Sequence, residues 1–258
     1  MENSERDGNY YFRICFLDPF QGTVLANYAF DKLGADTVYC LGELGNDYDQ
    51  GLVNYFAEAA EALGMTVITD SFPAENSDFT SYLTTAKNEG ADVIFAPCST
   101  NYAQLIIEQA AAQGITAPML AGDTWDSNVI LSAAQGKDVE IHVTTFFAEG
   151  GDPEFEAGLK AWINGNETNL TNNGGNDTIS AVTVMGYDAY NVALEAIKAA
   201  GTLDTVKIRD AIAGLSTNGI TGAISFNAVG DANRDAAYIK AANTETGAWD
   251  FVAVQGVN

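Results

Sequence analysis

The chain has 258 residues, 47% hydrophobic and 18% charged, which is enough apolar material for one large domain or two small ones and rules against a disordered chain. Its 11 Lys and Arg stand against 35 Asp and Glu, a formal net charge of −24. Nucleic acid and anionic membrane surfaces are excluded as partners, because binding them rests on basic residues that neutralise phosphate.

The opening Met1-Glu2-Asn3-Ser4-Glu5-Arg6-Asp7-Gly8 is polar and lacks the apolar stretch of a signal peptide. No apolar run reaches the length of a membrane span. The chain as it stands is expected to be soluble and to carry no export address. Residues 20–33 have helical spacing and end at Gly34. The run 37–42 reads as a strand, 48–63 as an Ala-rich helix stopping at Gly64, and 65–68 as a second strand. A helix over 78–89 follows, with Ser77 or Asp78 as its N-cap. Strand 92–96, helix 101–113, strand 118–121, a helix near 126–134 and strand 141–147 continue the alternation. Apolar strands separated by amphipathic helices predict an α/β fold, a parallel sheet with helices on both faces. Ligands in such sheets sit beyond the carboxyl ends of the strands, which directs attention to the loops after 42, 97 and 122.

The second region differs. Residues 153–164 read as helix, 165–177 as a Gly/Asn-rich loop, and 178–200 and 204–214 as helices. A strand at 222–227 and an antiparallel hairpin of 236–242 with 248–254 close the chain. The helices have no sheet of their own, so their apolar stripes face nothing visible in the sequence.

Chemical motifs are few. Cys15, Cys40 and Cys98 form no CxxC pair, and His142 is the one histidine, so no metal cluster is expected. Cys15 and Cys40 read as small apolar residues in buried strands. His142 lies in an apolar strand and reads as a satisfied core histidine. There is no GxSxG elbow, P-loop or GxGxxG, so neither an enzyme nor a cofactor is expected. Asp123 follows strand 118–121, at the end where ligands bind. It is read either as a ligand contact or as the N-cap of the next helix.

Four stretches and the ending carry a family resemblance. They are Phe12-Arg13 with Asp18-Pro19-Phe20-Gln21-Gly22, then Asp47-Tyr48-Asp49-Gln50-Gly51, then Gly122-Asp123-Thr124-Trp125-Asp126-Ser127, then Tyr187-Asp188-Ala189-Tyr190, and finally Gly230-Asp231 with Trp249-Asp250-Phe251. In this order and spacing the chain resembles the Leu/Ile/Val-binding family of ABC-transporter solute-binding proteins, with the type I periplasmic-binding fold. The resemblance implies a ligand-binding lobe over 9–147 and 222–258. It makes 148–221 the returning helical part of the other lobe, an incomplete remnant without its sheet. The family's first-lobe segment, which precedes the Phe-Arg entry, has no counterpart here, so a truncated chain is expected.

The implied function is capture of a small amino acid between two lobes for a membrane permease, outside the cytoplasm. Asp123 is expected to take the ligand's ammonium and Tyr48 to cover it. Ser99 stands where some relatives have an aromatic, implying a roomier or more polar pocket. Trp125 is read as a pocket wall or as core, and Tyr48 also fits a half-buried loop tyrosine. Asp18 and Gln21 are read as structural. A sensor domain of the same fold is the alternative function, and an enzyme of flavodoxin-like architecture a further one. The uncovered helical remnant is expected to be mobile or to self-associate.

Overall fold

The computed structural model describes residues 9–257, so the polar opening at 1–8 lies outside the described residues. In chain order the elements are α1 (Asp18–Asp31), β1 (Thr37–Glu43), α2 (Asp47–Ala62), β2 (Thr66–Phe72), α3 (Thr80–Asn88), β3 (Val93–Phe95), α4 (Thr100–Gln113), β4 (Met119–Ala121), α5 (Asn128–Ala134) and β5 (Ile141–Thr145). They continue with α6 (Pro153–Ile163), α7 (Glu167–Asn172), α8 (Ala181–Ala200), α9 (Thr205–Ala213), β6 (Ser216–Gly219), β7 (Gly222–Ser225), β8 (Ala236–Asn243) and β9 (Ala248–Gly256). The described chain divides into two units, one of residues 17–148 with 236–257 and one of residues 9–16 with 149–235.

The first unit is built on a seven-stranded sheet of order β2-β1-β3-β4-β5-β8-β9. Its first five strands are parallel, and β8 and β9 are antiparallel additions. The inner strands are short apolar runs because both faces are covered. Alternate residues Tyr39, Leu41, Ile94, Met119, Ile141 and Val143 pack in one core with Leu83 of α3, Ile106 of α4 and Ile130 of α5. The intervening residues turn to α1 and α2. Phe95 stacks on Phe56 of α2 at 4.2 Å between centroids, and His142 lies 5.5 Å from the ring of Tyr28 on α1. Both ring nitrogens of His142 have partners, Nε2 with Glu140 at 2.7 Å and Nδ1 with the Tyr28 hydroxyl at 3.1 Å.

The strand order changes direction between β1 and β3: from β1 the chain goes to β2 on one side and returns with β3 on the other. The loops leaving these strands diverge there, which opens the crevice where open α/β sheets bind ligands. At this end α2 starts on Asn46, whose side chain accepts from the amides of Tyr48 and Asp49. Asp49 is buried and accepts from the Glu43 amide at 3.0 Å. Burial, opposed by that hydrogen bond and reinforced by the Glu43 charge, raises its carboxyl from 3.8 to about 6. A carboxyl raised on folding stabilises the fold fully below its unfolded value. That stability is lost as pH rises through the folded value. Asp49→Asn is therefore expected to raise the melting temperature relative to the parent above about pH 6, with the gap closing near pH 4. Parallel thermal scans check this. A gap independent of pH would show that Asp49 does not titrate in that window.

The second unit has a small core of its own. Val192, Ile224, Phe226 and Ala232 pack with Phe12, Ile14, Ile212 and Leu215. Asp188, buried on α8, accepts from the Ile220 amide at 2.9 Å and from the Thr221 amide and hydroxyl at 2.8 and 2.6 Å. That caged carboxylate fixes the turn of the β6–β7 hairpin. Arg13 pairs with Asp231, and Arg234 donates to the carbonyls of Ile14 and Thr221. Outside this core, α8 exposes Val182, Tyr190 and Ile197 on one face.

Several expectations change. Residues 9–16 and 222–235 lie with the helical unit and not with the sheet, because β7 pairs with β6 in a separate two-stranded ribbon. The loop expected at 165–177 contains α7, which starts on Asn166 with its side chain accepting from the Asn169 amide. Cys15 lies outside any strand and is only half-buried. The expected α/β sheet with helices on both faces is present, mainly parallel, and the expected closing hairpin adds its two antiparallel strands.

Candidate functional site

The candidate site lies in the sheet unit, at the carboxyl ends of β1, β4 and β5. Asp123 follows β4 by one residue and opens a short 3₁₀ turn, Asp123–Trp125. It caps no helix: α5 has Ser127 as its N-cap, and the 3₁₀ turn has Gly122. Asp123 Oδ1 accepts instead from Gln21 Nε2 at 3.0 Å and from the Tyr48 hydroxyl at 3.3 Å. Gln21 Nε2 also donates to Thr144 Oγ1 of β5 at 2.8 Å. Elements far apart in sequence thus meet on one half-exposed carboxylate. Burial and the Asp123 charge push the Tyr48 phenol well above the usual tyrosine range, so it acts as a neutral donor.

Gly122 makes the approach possible. A Cβ there would lie 2.8 Å from Gln21 Oε1 and 3.0 Å from the Tyr48 hydroxyl. Any side chain at this position would push apart two of the groups that hold Asp123.

Two anchors fix the loop from behind. Trp125 is fully buried in the core, and its Nε1 donates to the Cys98 carbonyl at 2.7 Å. It thus ties the loop after β4 to the loop after β3, and it leaves no ring face free to wall a pocket. Asp126 is paired with Lys240 of β8, whose Nζ lies 3.0 Å from both carboxylate oxygens, and it accepts from Thr145 Oγ1 at 2.5 Å. Thr144 and Thr145 point to opposite faces of β5, so one strand end serves both Gln21 and Asp126. Ser99 starts α4, is exposed, and makes no capping hydrogen bond with its side chain. Of the residues singled out from sequence, Tyr48 and Asp123 are in direct contact. Gln21, read from the sequence as structural, also touches Asp123, and the roles of Thr144, Gly122 and Lys240 emerge only from the fold.

Among the described residues no group of His, Cys, Asp and Glu is arranged to hold a metal ion, and no helix is long and apolar enough to cross a membrane. Cys40 and Cys98 are buried thiols.

The sequence matches the family described as periplasmic binding protein over residues 2–246. The chain belongs to the periplasmic binding protein family. Within it the Leu/Ile/Val-binding proteins stand near. The homolog 1 of that protein from Brucella melitensis is 29% identical over 202 residues, covering 78% of this chain and 52% of the relative. A leucine binding protein from Thermotoga maritima is 30% identical with a TM-score of 0.78, covering 95% of this chain and 67% of that one. The branched-chain amino acid transporter substrate binding protein of Streptococcus pneumoniae, solved in complex with isoleucine, is 25% identical with a TM-score of 0.77, covering 97% and 68%. These relatives are substrate-binding proteins and not enzymes. The mixed sheet flanked by helices is the type I periplasmic-binding fold. The chain spans about half the length of the curated relatives it matches.

Proposed function

We propose that this periplasmic binding protein serves an ABC importer outside the cytoplasm, binding a small amino acid for a membrane permease. One observation carries the reading. Asp123 stands half-exposed at the strand ends, with one oxygen held by Gln21 and Tyr48 and the other taking no hydrogen bond from the described residues. A negative, oriented acceptor of this kind is what an ammonium group needs. The Tyr48 ring offers an apolar face beside it, and Ser99, exposed at the start of α4, leaves more room and a polar hydroxyl where an aromatic would stand. The names of the relatives support an amino acid as the ligand class. Calorimetric titration of the full chain with amino acids and their deaminated counterparts tests the reading. Heat is expected from amino acids alone. Equal binding of the deaminated compounds would overturn it.

Self-association belongs to the same proposal. Val182, Tyr190 and Ile197 lie on one face of α8, and Gly186, Ala189 and Ala193 between them are also exposed and uncharged. In a chain of net charge −24 this is an uncharged, partly apolar face where burial of apolar surface would oppose the overall repulsion between copies. Sedimentation velocity is expected to show a dimer that Tyr190→Asp with Ile197→Asp abolishes. A monomer at every concentration up to about 100 μM, where a contact worth roughly −5 to −6 kcal/mol would show, would contradict it.

A further inference from the structure

Gln21 is 1% exposed, and its amide is fully constrained. Nε2 donates to both Asp123 Oδ1 and Thr144 Oγ1, while Oε1 is buried without a hydrogen-bond partner. Turning the amide over would give Oε1 the Thr144 hydroxyl as a donor. It would also set that oxygen against the Asp123 carboxylate. Charge therefore locks the amide in the orientation that leaves an acceptor orphaned, which is unfavourable in a buried position. An apolar side chain of the same size would fill this space without the orphan. Gly122 adds to the argument, since it is the absence of its side chain that leaves room for Oε1. Stability is sacrificed at this position, and what is retained is the placement of Asp123.

We propose that Gln21 is the positioning residue of the ligand site: its neutral amide holds one oxygen of Asp123 and leaves the other to face the ligand's ammonium. A lysine or arginine would hold the carboxylate as firmly but would cancel the charge that the ligand is attracted to. A hydroxyl would not span the distance from α1 to both β4 and β5. Glutamine supplies reach and a donor with no charge, so the site stays negative. This inference rests on the ammonium reading of Asp123 given above.

The test compares Gln21→Met and Gln21→Glu with the parent and with Asp123→Ala, each as the full chain. Each is titrated with the tightest-binding amino acid of the panel from about pH 8 to about pH 5. At the upper end the Met variant is expected to bind about tenfold more weakly and the Glu variant about a hundredfold or more, because the latter sets two carboxylates face to face. On acidification the Glu variant is expected to regain affinity, since its carboxyl, once protonated, donates to Asp123 as the amide did. The parent is expected to gain nothing. A packing role alone would move both variants alike at every pH.

Parent-like affinity in both variants, with binding lost in Asp123→Ala, would overturn the inference and leave the ammonium reading standing. Unchanged binding in Asp123→Ala would overturn the ammonium reading itself. Should Gln21→Glu fail to fold, Thr144→Val removes the second partner of the amide and keeps Asp123. A loss of about threefold to tenfold is then expected, and none would count against the inference. Crystal structures without ligand give a reading independent of affinity. Asp123 is expected in one rotamer in the parent and in several in Gln21→Met, and a single shared rotamer would overturn the inference.

Discussion

Lys240→Met is expected to destabilise the sheet unit by about 3–5 kcal/mol, because it strands the Asp126 carboxylate in the interior. Both side chains are 4% exposed, and Lys240 Nζ lies 3.0 Å from each oxygen of Asp126. Thr145 remains as one donor, which does not replace a full positive charge. The pair joins β8 to the loop after β4, so the loss also loosens the support of Asp123. Replacing both partners by apolar residues of similar size, Lys240→Met with Asp126→Leu, is expected to recover most of the stability, since a well-packed apolar pair is often as stable as a buried ion pair. Urea denaturation followed by tryptophan fluorescence measures both. A cost below about 1 kcal/mol for Lys240→Met would place the pair among solvent-screened contacts and contradict its burial.

Asp123→Ala is expected to weaken amino-acid binding by about 2–5 kcal/mol, roughly thirtyfold to three-thousandfold in Kd. The range covers both the lost charge-assisted contact and the ammonium left without a partner. Asp123→Asn isolates the charge. Its amide keeps the size of the side chain and an oxygen that can accept from Gln21 and Tyr48, so the loop should hold its shape. Binding should still fall nearly as far as in the Ala variant, with the melting temperature close to that of the parent. An Asn variant that binds like the parent would show that hydrogen bonding, and not charge, is what the ligand reads. That outcome would remove the reason to expect an ammonium.

Much of the sheet unit is legible in the sequence because its strands are apolar on both faces. Thr37–Glu43 and Ile141–Thr145 stand out as apolar runs between amphipathic helices, and the rule about strand ends then leads to Asp123. Of the partners of Asp123, Tyr48 is named through the family resemblance, whereas the contact with Gln21 is not legible in this way. Gln21 is a polar residue in the first turn of a helix, where an exposed side chain is the ordinary case, and it is 102 residues from Asp123. The sheet order brings α1 and β5 to the same point, and that order is not a local property of the chain. Thr144 and Thr145 sit in a strand whose every residue is buried, so each needs a polar partner there, but which partner follows only from the pleat.

The helical unit shows the opposite difficulty. The segment Ser216–Gly219 is polar, and nothing in its own pattern announces a strand. It becomes one because Asp188, far back on α8, gathers the amides of Ile220 and Thr221 and bends the chain into a hairpin. The apolar residue Ile224 then reads as part of that ribbon and not of the main sheet. In α7 the Asn and Gly density of 165–177 masks a helix start that the sequence does contain, with Asn166 as N-cap and Glu167 in the first turn.

The central claim is that Asp123 receives the ammonium of an amino acid, and a crystal structure of the full chain with the tightest amino acid of the panel tests it most directly. The account predicts the ligand nitrogen within about 2.7–3.2 Å of the free oxygen of Asp123, with Gln21 still on the other oxygen. A ligand bound with its nitrogen away from Asp123, or with its carboxylate turned towards it, would contradict the account.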